Sequence, residues 1–288
     1  MTGACFCTII VLEMTVCIGA LCSNLEGEPS EAVVVASDRM VTLGGHTEFE
    51  HDVPKITPIA RTILALVSGD ALRGSRLVRD LASSVPAGPM TVEDVAKMAV
   101  SRYVEHRRRQ IESEIFTPRG ITMAEFYHGL QTGLVAGLVS HIDGQVVSYN
   151  YDVDLLIGGV DETGGHLYRV HNPGELMDFA TIAFTAIGSG ALHALQMFIG
   201  LDHTAERSLR ESVFSVYAAK RRAEVAPGVG KHTDLAIILE SGVTRASPPL
   251  LRRLEEVYAQ YQRPLSREIR QAIGRLDLFE KEEHDGAS

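Results

Sequence analysis

Apolar residues recur along this chain with two different periods. Short, nearly continuous apolar runs read as buried strands: "MTVCIGALC" (14–22), "AVVVASD" (32–38), "RTILALVSGD" (61–70, breaking at Ser68-Gly69) and "HTDLAIILESG" (232–242). Gly19 in the first run marks a place where a backbone can approach closely. The polar "SNLEGEPSE" (23–31) separates the first two as a turn. Residues 154–190 read as strand, tight turn at 162–165, strand, turn at 172–174 and strand.

From Asp70 the period becomes helical, with Leu72, Leu77, Val78 and Leu81 on one face. Thr91, with Asp94 three residues on, resembles a capping box that opens a long amphipathic helix over 91–116. Two more helices follow at 191–200 and 205–224, and a helical tail at 247–261 and 267–279 ends in the polar "EKEEHDGAS". The Gly-spaced segment 118–150 fits strand–turn–strand or a helix plus a hairpin. Strands that pair as antiparallel neighbours, with helices between the pairs, indicate an α+β class rather than alternating βαβ units.

Composition narrows the function. A chain of 288 residues with 45% hydrophobic and 22% charged content is an ordinary soluble globular sequence, and its net charge of −10 excludes a general nucleic-acid binder. The basic clusters "HRRRQ" (105–109) and "KRR" (220–222) are read as solvated faces or subunit contacts rather than nucleic-acid sites. The four cysteines, Cys5, Cys7, Cys17 and Cys22, crowd into the first 22 residues without zinc or redox spacing, and are expected to be reduced core thiols of a cytoplasmic protein. Residues 1–14 lack Lys or Arg ahead of their apolar part and are interrupted by Glu13, a poor secretory signal and too short to span a membrane. Eleven histidines include no His-x-x-x-His or His-Glu-x-x-His, so neither a metal nor another cofactor is expected. "GSG" (188–190) lacks a P-loop lysine and reads as close backbone packing, not a phosphate loop.

Six strings occur in order: "TVCIGALC", "AVVVASDRMVT", "PKITPI", "LVSGDA", "LLIGGVDETGGHLYRVHNPG" and "AIGSGALHAL". Together they resemble the proteasome β-subunit family of N-terminal-nucleophile hydrolases, over roughly Thr15 to Leu239. The resemblance implies a four-layer αββα sandwich with a C-terminal helical extension. The implied division is 1–14 as a propeptide or mis-assigned start, 15–242 as the hydrolase domain and 243–288 as the tail.

It also implies a catalytic threonine. A hydroxyl is a weak nucleophile, and a free α-amino group on the same residue, with an ordinary pKa of about 7.7–8.0, can take its proton. At Thr15 that amine exists only once the Met14–Thr15 bond is broken, by removal of an initiating Met14 (the favoured route) or by release of residues 1–14. Asp38 and Lys55 match the other two catalytic positions, separated by about one residue more than usual, which a turn in "GGHTEFEHD" (44–52) would absorb. Gly69 matches the oxyanion-binding glycine, and Ser189 the serine that supports the threonine amine. Thr42 matches a substrate-strand position, and Val67 and Ala71 flank the specificity pocket, whose small apolar lining fits an apolar side chain. "EVAPG" departs from the family's Asp-x-x-Ser-Gly, placing Glu224 and Pro227 where a carboxylate and a hydroxyl stand.

Three functions remain open at this point. The first is a threonine endopeptidase in a homo-oligomeric ring that admits unfolded polypeptide, with a regulatory ATPase as a further partner. The second is a non-catalytic ring or scaffold subunit. The third is an amidase or acyl transferase of the same superfamily acting on a small substrate.

Overall fold

The computed structural model describes residues 15–24, 31–43, 47–51, 55–86, 88–262 and 271. The calls that fall on residues 1–14, on most of the 23–31 turn and on the second tail helix at 267–279 (residue 271 aside) therefore lie outside the described residues, as do Cys5 and Cys7. Two compact units divide the chain, Met1–Ala246 and Ser247–Ser288.

In the first unit the continuous apolar runs are strands. They are β1 (Cys17–Cys22), β2 (Ala32–Ser37), β3 (Met40–Leu43), β4 (Thr47–Glu50), β5 (Ile56–Ala60) and β6 (Ile63–Gly69). After a helical stretch come β7 (Val153–Asp161), β8 (Gly164–His171), β9 (Glu175–Asp178), β10 (Phe184–Ile187), β11 (Asp234–Leu239) and β12 (Gly242–Arg245). They form one five-stranded antiparallel sheet in the order β10-β1-β2-β11-β12, a second in the order β5-β6-β7-β8-β9, and the β3-β4 ribbon. The molecule is α+β.

Every residue of β1 and β2 is buried, as their uninterrupted apolar character requires. Cys17, Leu21, Val33 and Val35 of the first sheet pack with Leu64, Leu66, Leu156 and Leu167 of the second in one cluster. Gly19 is small for this contact: a Cβ there would stand 2.6 Å from Leu167 Cδ1, so a side chain of the other sheet, not a backbone, fills the space. Burial pushes the Cys22 thiol up to about 11, although a bond with Ser212 opposes the shift, so the thiol stays protonated.

Helix α1 (Ala71–Ser84) is capped by Asp70, whose side chain accepts from the Leu72 and Arg73 N–H groups. Its buried face carries Leu77, Val78 and Leu81, whereas Leu72, predicted to share that face, is 74% exposed. Thr91 caps α2 (Val92–Ile111) by accepting from the Asp94 N–H, and its hydroxyl also meets the Asp94 carboxylate. The helix continues to Phe116 as a π-helical segment, Glu112–Phe116. Helices α1 and α2 contact β6, β7 and neighbouring strands of the second sheet. Helices α5 (Ala191–Gly200) and α6 (Leu209–Ala223) contact β1, and β10 and β2 respectively, in the first.

Segment 118–150 contains no strand, against both alternatives read from its glycines. It is helical: short 3-10 turns at Thr117–Arg119 and Leu130–Gly133, α3 (Met123–Tyr127) and α4 (Ala136–Val147). Phe116, Phe126 and Ile142 gather with Ile111 and Ile115 into a separate apolar cluster, which sets the helical register. Gly137 and Gly144 lie within α4 with open space beside them, so they mark neither a turn nor a close approach.

Three other boundaries differ from the pattern. The presumed turn 44–52 carries β4, whose register sets Thr42 opposite Glu48. The last strand of the 154–190 run is two, β9 and β10, belonging to different sheets. The start of the expected helical tail is β12, paired with β11. In the second unit α7 (Pro248–Tyr261) is capped by Ser247. No helix among the described residues is long and apolar enough to cross a membrane.

Candidate active site

Sheet register brings three distant segments to Thr15. This residue lies two positions before the start of β1, where Cys17 pairs with Ser37 on one side and Ile187 on the other. The residues leaving β2 and β10, Asp38 and Gly188-Ser189, therefore arrive on either flank of Thr15. Gly188 turns at φ +90°, and a Cβ there would lie 2.4 Å from the Thr15 carbonyl oxygen, so this approach needs glycine. Ser189 Oγ accepts from the Thr15 backbone nitrogen at 3.2 Å and has the Pro227 carbonyl oxygen 3.1 Å away. The Gly190 N–H donates to the Thr15 carbonyl at 3.2 Å.

Asp38 is fully buried and accepts from five donors. Oδ1 takes the Thr15 hydroxyl at 2.6 Å, the Val16 N–H at 3.1 Å and the Lys55 ammonium at 2.7 Å. Oδ2 takes the N–H groups of Met40 at 3.1 Å and Gly230 at 2.9 Å. Lys55 Nζ also donates to Thr15 Oγ1. The threonine hydroxyl thus donates to a carboxylate while accepting from an ammonium, which polarises it toward alkoxide in a site where charges are poorly screened.

Thr15 opens on a cavity of about 380 Å³ lined by Lys55, Val67, Ser68, Gly69 and Ala71, among others. Gly69 ends β6 at φ +95°, where a Cβ would sit 2.1 Å from the Asp152 carbonyl oxygen. Thr42 lies in β3, while its neighbours Met40 and Val41 line the cavity. Of the residues singled out from the sequence, Thr15, Asp38, Lys55 and Ser189 are joined by hydrogen bonds, and Val67, Gly69 and Ala71 line the same cavity. Among the described residues no group of three His, Cys, Asp or Glu side chains is placed to hold a metal.

Glu224 and Pro227 have other partners than the family pattern implies. Pro227 offers Ser189 its backbone carbonyl, and Glu224 pairs with Lys220 at 2.6 Å and Arg221 at 3.2 Å. Lys220 is a correction: read as part of a solvated basic cluster, it is fully buried. Its ammonium also donates to the carbonyls of Gly230 at 3.0 Å and Lys231 at 2.7 Å, fixing the segment whose Gly230 N–H holds Asp38. Burial lowers the Lys220 pKa, opposed by Glu224 and by the nearby Asp38. The i,i+4 spacing of Lys220 and Glu224 was the available sequence signal for this pair; Gly230 had none.

No protein-family model matches the chain. It is 31% identical over 119 residues to proteasome subunit beta 2 of Thermofilum pendens, a match covering 40% of this chain and 55% of that protein. It is 29% identical over 119 residues to the proteasome subunit beta of Ferroglobus placidus, covering 40% and 53%. The chain thus spans about half the length of the curated relatives it matches. Over that matched part, this chain is similar in sequence to these two proteasome β subunits.

Proposed function

We propose that the protein is a threonine peptidase whose nucleophile is Thr15 Oγ1. The observation that carries the reading is the contact set of that one oxygen, which donates to Asp38 and accepts from Lys55 at the mouth of a cavity. Once the Met14–Thr15 bond is gone, the Thr15 amine, beside Ser189 Oγ, takes the hydroxyl proton. The oxygen attacks the peptide carbonyl, and the Gly69 N–H stabilises the tetrahedral oxyanion, a donor type contributing roughly 3–4 kcal/mol to the barrier. The amine returns its proton to the leaving nitrogen, and water then hydrolyses the ester on Thr15. Lys55 keeps positive charge beside the reacting oxygen, and Asp38 orients Lys55.

The wider features belong to the same proposal. They are αββα layering of the domain that begins at Thr15, binding of an extended substrate along the strand of Thr42, and a homo-oligomeric ring in the cytoplasm that admits unfolded chains. The inter-sheet apolar cluster and the helices on each sheet support the layering, and the names of the two relatives support subunit assembly. Cleavage of a fluorogenic peptide tests the activity. It is expected to vanish in Thr15→Ala and persist in Ser68→Ala, a second hydroxyl-bearing residue at the same cavity. Equal loss in both, or in neither, contradicts the assignment.

A further inference from the structure

The cavity beside Thr15 extends along one face of α1, past Ala71, Ser75, Val78, Arg79 and Ala82. At 1.5 Å per residue, Arg79 stands about 12 Å along the axis from Ala71. Helical side chains lean toward the N-terminus, which directs the Arg79 stem back toward the Thr15 end. Arg79 also lines a second cavity of about 330 Å³, where α1 and α2 contribute Arg76, Asp80, Ser83, His106 and Arg109. One arginine residue, Arg79, therefore lines both the apolar cavity and an arginine-rich cleft.

The other charges at these cavities are already engaged. Lys55 is tied to Asp38. Asp70 accepts from the Leu72 and Arg73 N–H groups at 2.9 Å each. Asp80 is bonded to His106 at 2.9 Å, and that bond keeps its carboxyl below the usual range. Arg109 pairs with Glu105. Among the described residues, Arg76 and Arg79 form neither hydrogen bond nor ion pair. On a chain of net charge −10, one uncommitted arginine lining the apolar cavity, with a second in the adjoining cleft, is a local attractor for anions.

Resting on the peptidase reading, we propose that this cavity takes an acidic side chain, glutamate above all, on the residue whose carbonyl Thr15 attacks. Val67, Val78 and Ala82 would hold the aliphatic stem, and Arg79 would pair with the carboxylate, backed by the positive field of Arg76. An apolar side chain, the expectation from Val67 and Ala71, matches the walls but leaves the guanidinium without an acceptor.

Binding and turnover separate this inference from the reading beneath it. Fluorescent peptides, N-acetylated and C-amidated so that they have no terminal carboxylate, would carry glutamate, glutamine, leucine or lysine at the variable position. Anisotropy titrations on the full chain with Thr15→Ala are expected to show the glutamate peptide binding at least about tenfold tighter than the glutamine one at low salt. Adding Arg79→Gln should bring the two within about twofold without altering the circular dichroism or melting midpoint, since Arg79 is solvent-exposed on α1. Equal affinities in the Arg79 protein, discrimination that survives Arg79→Gln, or no binding of any peptide overturns the inference. The same peptides offered to the chain with Thr15 intact isolate the other failure. Glutamate-selective binding without cleavage keeps the subsite and removes the peptidase, whereas cleavage indifferent to glutamate does the reverse.

Discussion

The ammonium of Lys220 lies 2.6 Å from the carboxylate of Glu224, one turn further along α6, with none of the lysine exposed to solvent. A pair of the same type and spacing, Lys97 and Glu93 on α2, is 2.7 Å apart but 61% and 55% exposed. The pair distances are nearly equal, so the difference lies in burial and in the two backbone carbonyls that only Lys220 also holds. Lys220→Met would leave the carbonyls of Gly230 and Lys231 and part of Glu224 without their buried cation. We expect a loss of roughly 3 kcal/mol from urea unfolding, the range for breaking a buried pair from one side. Lys97→Met should leave the midpoint unchanged, because an exposed pair contributes little. Equal effects in the two variants would contradict the burial argument.

On the proposed mechanism, Ser189 supports the Thr15 amine rather than the fold. Its Oγ reaches the Thr15 nitrogen, while the Thr15 carbonyl retains a second donor in the Gly190 N–H. Ser189→Ala is expected to lower kcat for peptide cleavage by about fivefold, the worth of one hydrogen bond of about 1 kcal/mol, with KM and melting midpoint little changed. A rise in KM at constant kcat would assign Ser189 to substrate binding instead.

His203 makes stability depend on pH. It is buried against the stacked rings of Phe184 and Phe198, and its Nε2 lies 3.0 Å from the Leu21 carbonyl. Burial lowers its pKa, with the Leu21 bond opposing. The unfolded chain therefore binds a proton that the folded chain refuses, and stability falls as pH drops below the ordinary histidine value of about 6.5. Melting midpoints between pH 7.5 and 5 should fall less steeply in His203→Gln than in the parent. Parallel curves would show that another group governs the acid side.

Much of this site was legible because its residues sit where strands end. The apolar runs of β1 and β2 place Thr15 and Asp38 at sheet ends, and "SG" followed by Asp70 marks the exit of β6 into a capped helix. The β4 strand was missed because "TEFE" lies in a two-stranded ribbon outside both main sheets and has no continuous apolar run. Segment 118–150 was misread because glycines that punctuate turns elsewhere occupy the open side of α4. Lys220 was hidden for a different reason. A lysine beside two arginines reads as a solvated helix face, and only the return of residues 230 and 231 to α6 supplies the carbonyls that let its charge be buried.

Whether Thr15 acts through its own free amine is decided by the intact mass of a purified, peptide-cleaving sample. A chain beginning at Thr15 is expected. Full activity in a sample whose mass retains Met14 would contradict it, because the nitrogen would then be an amide and unable to take the proton.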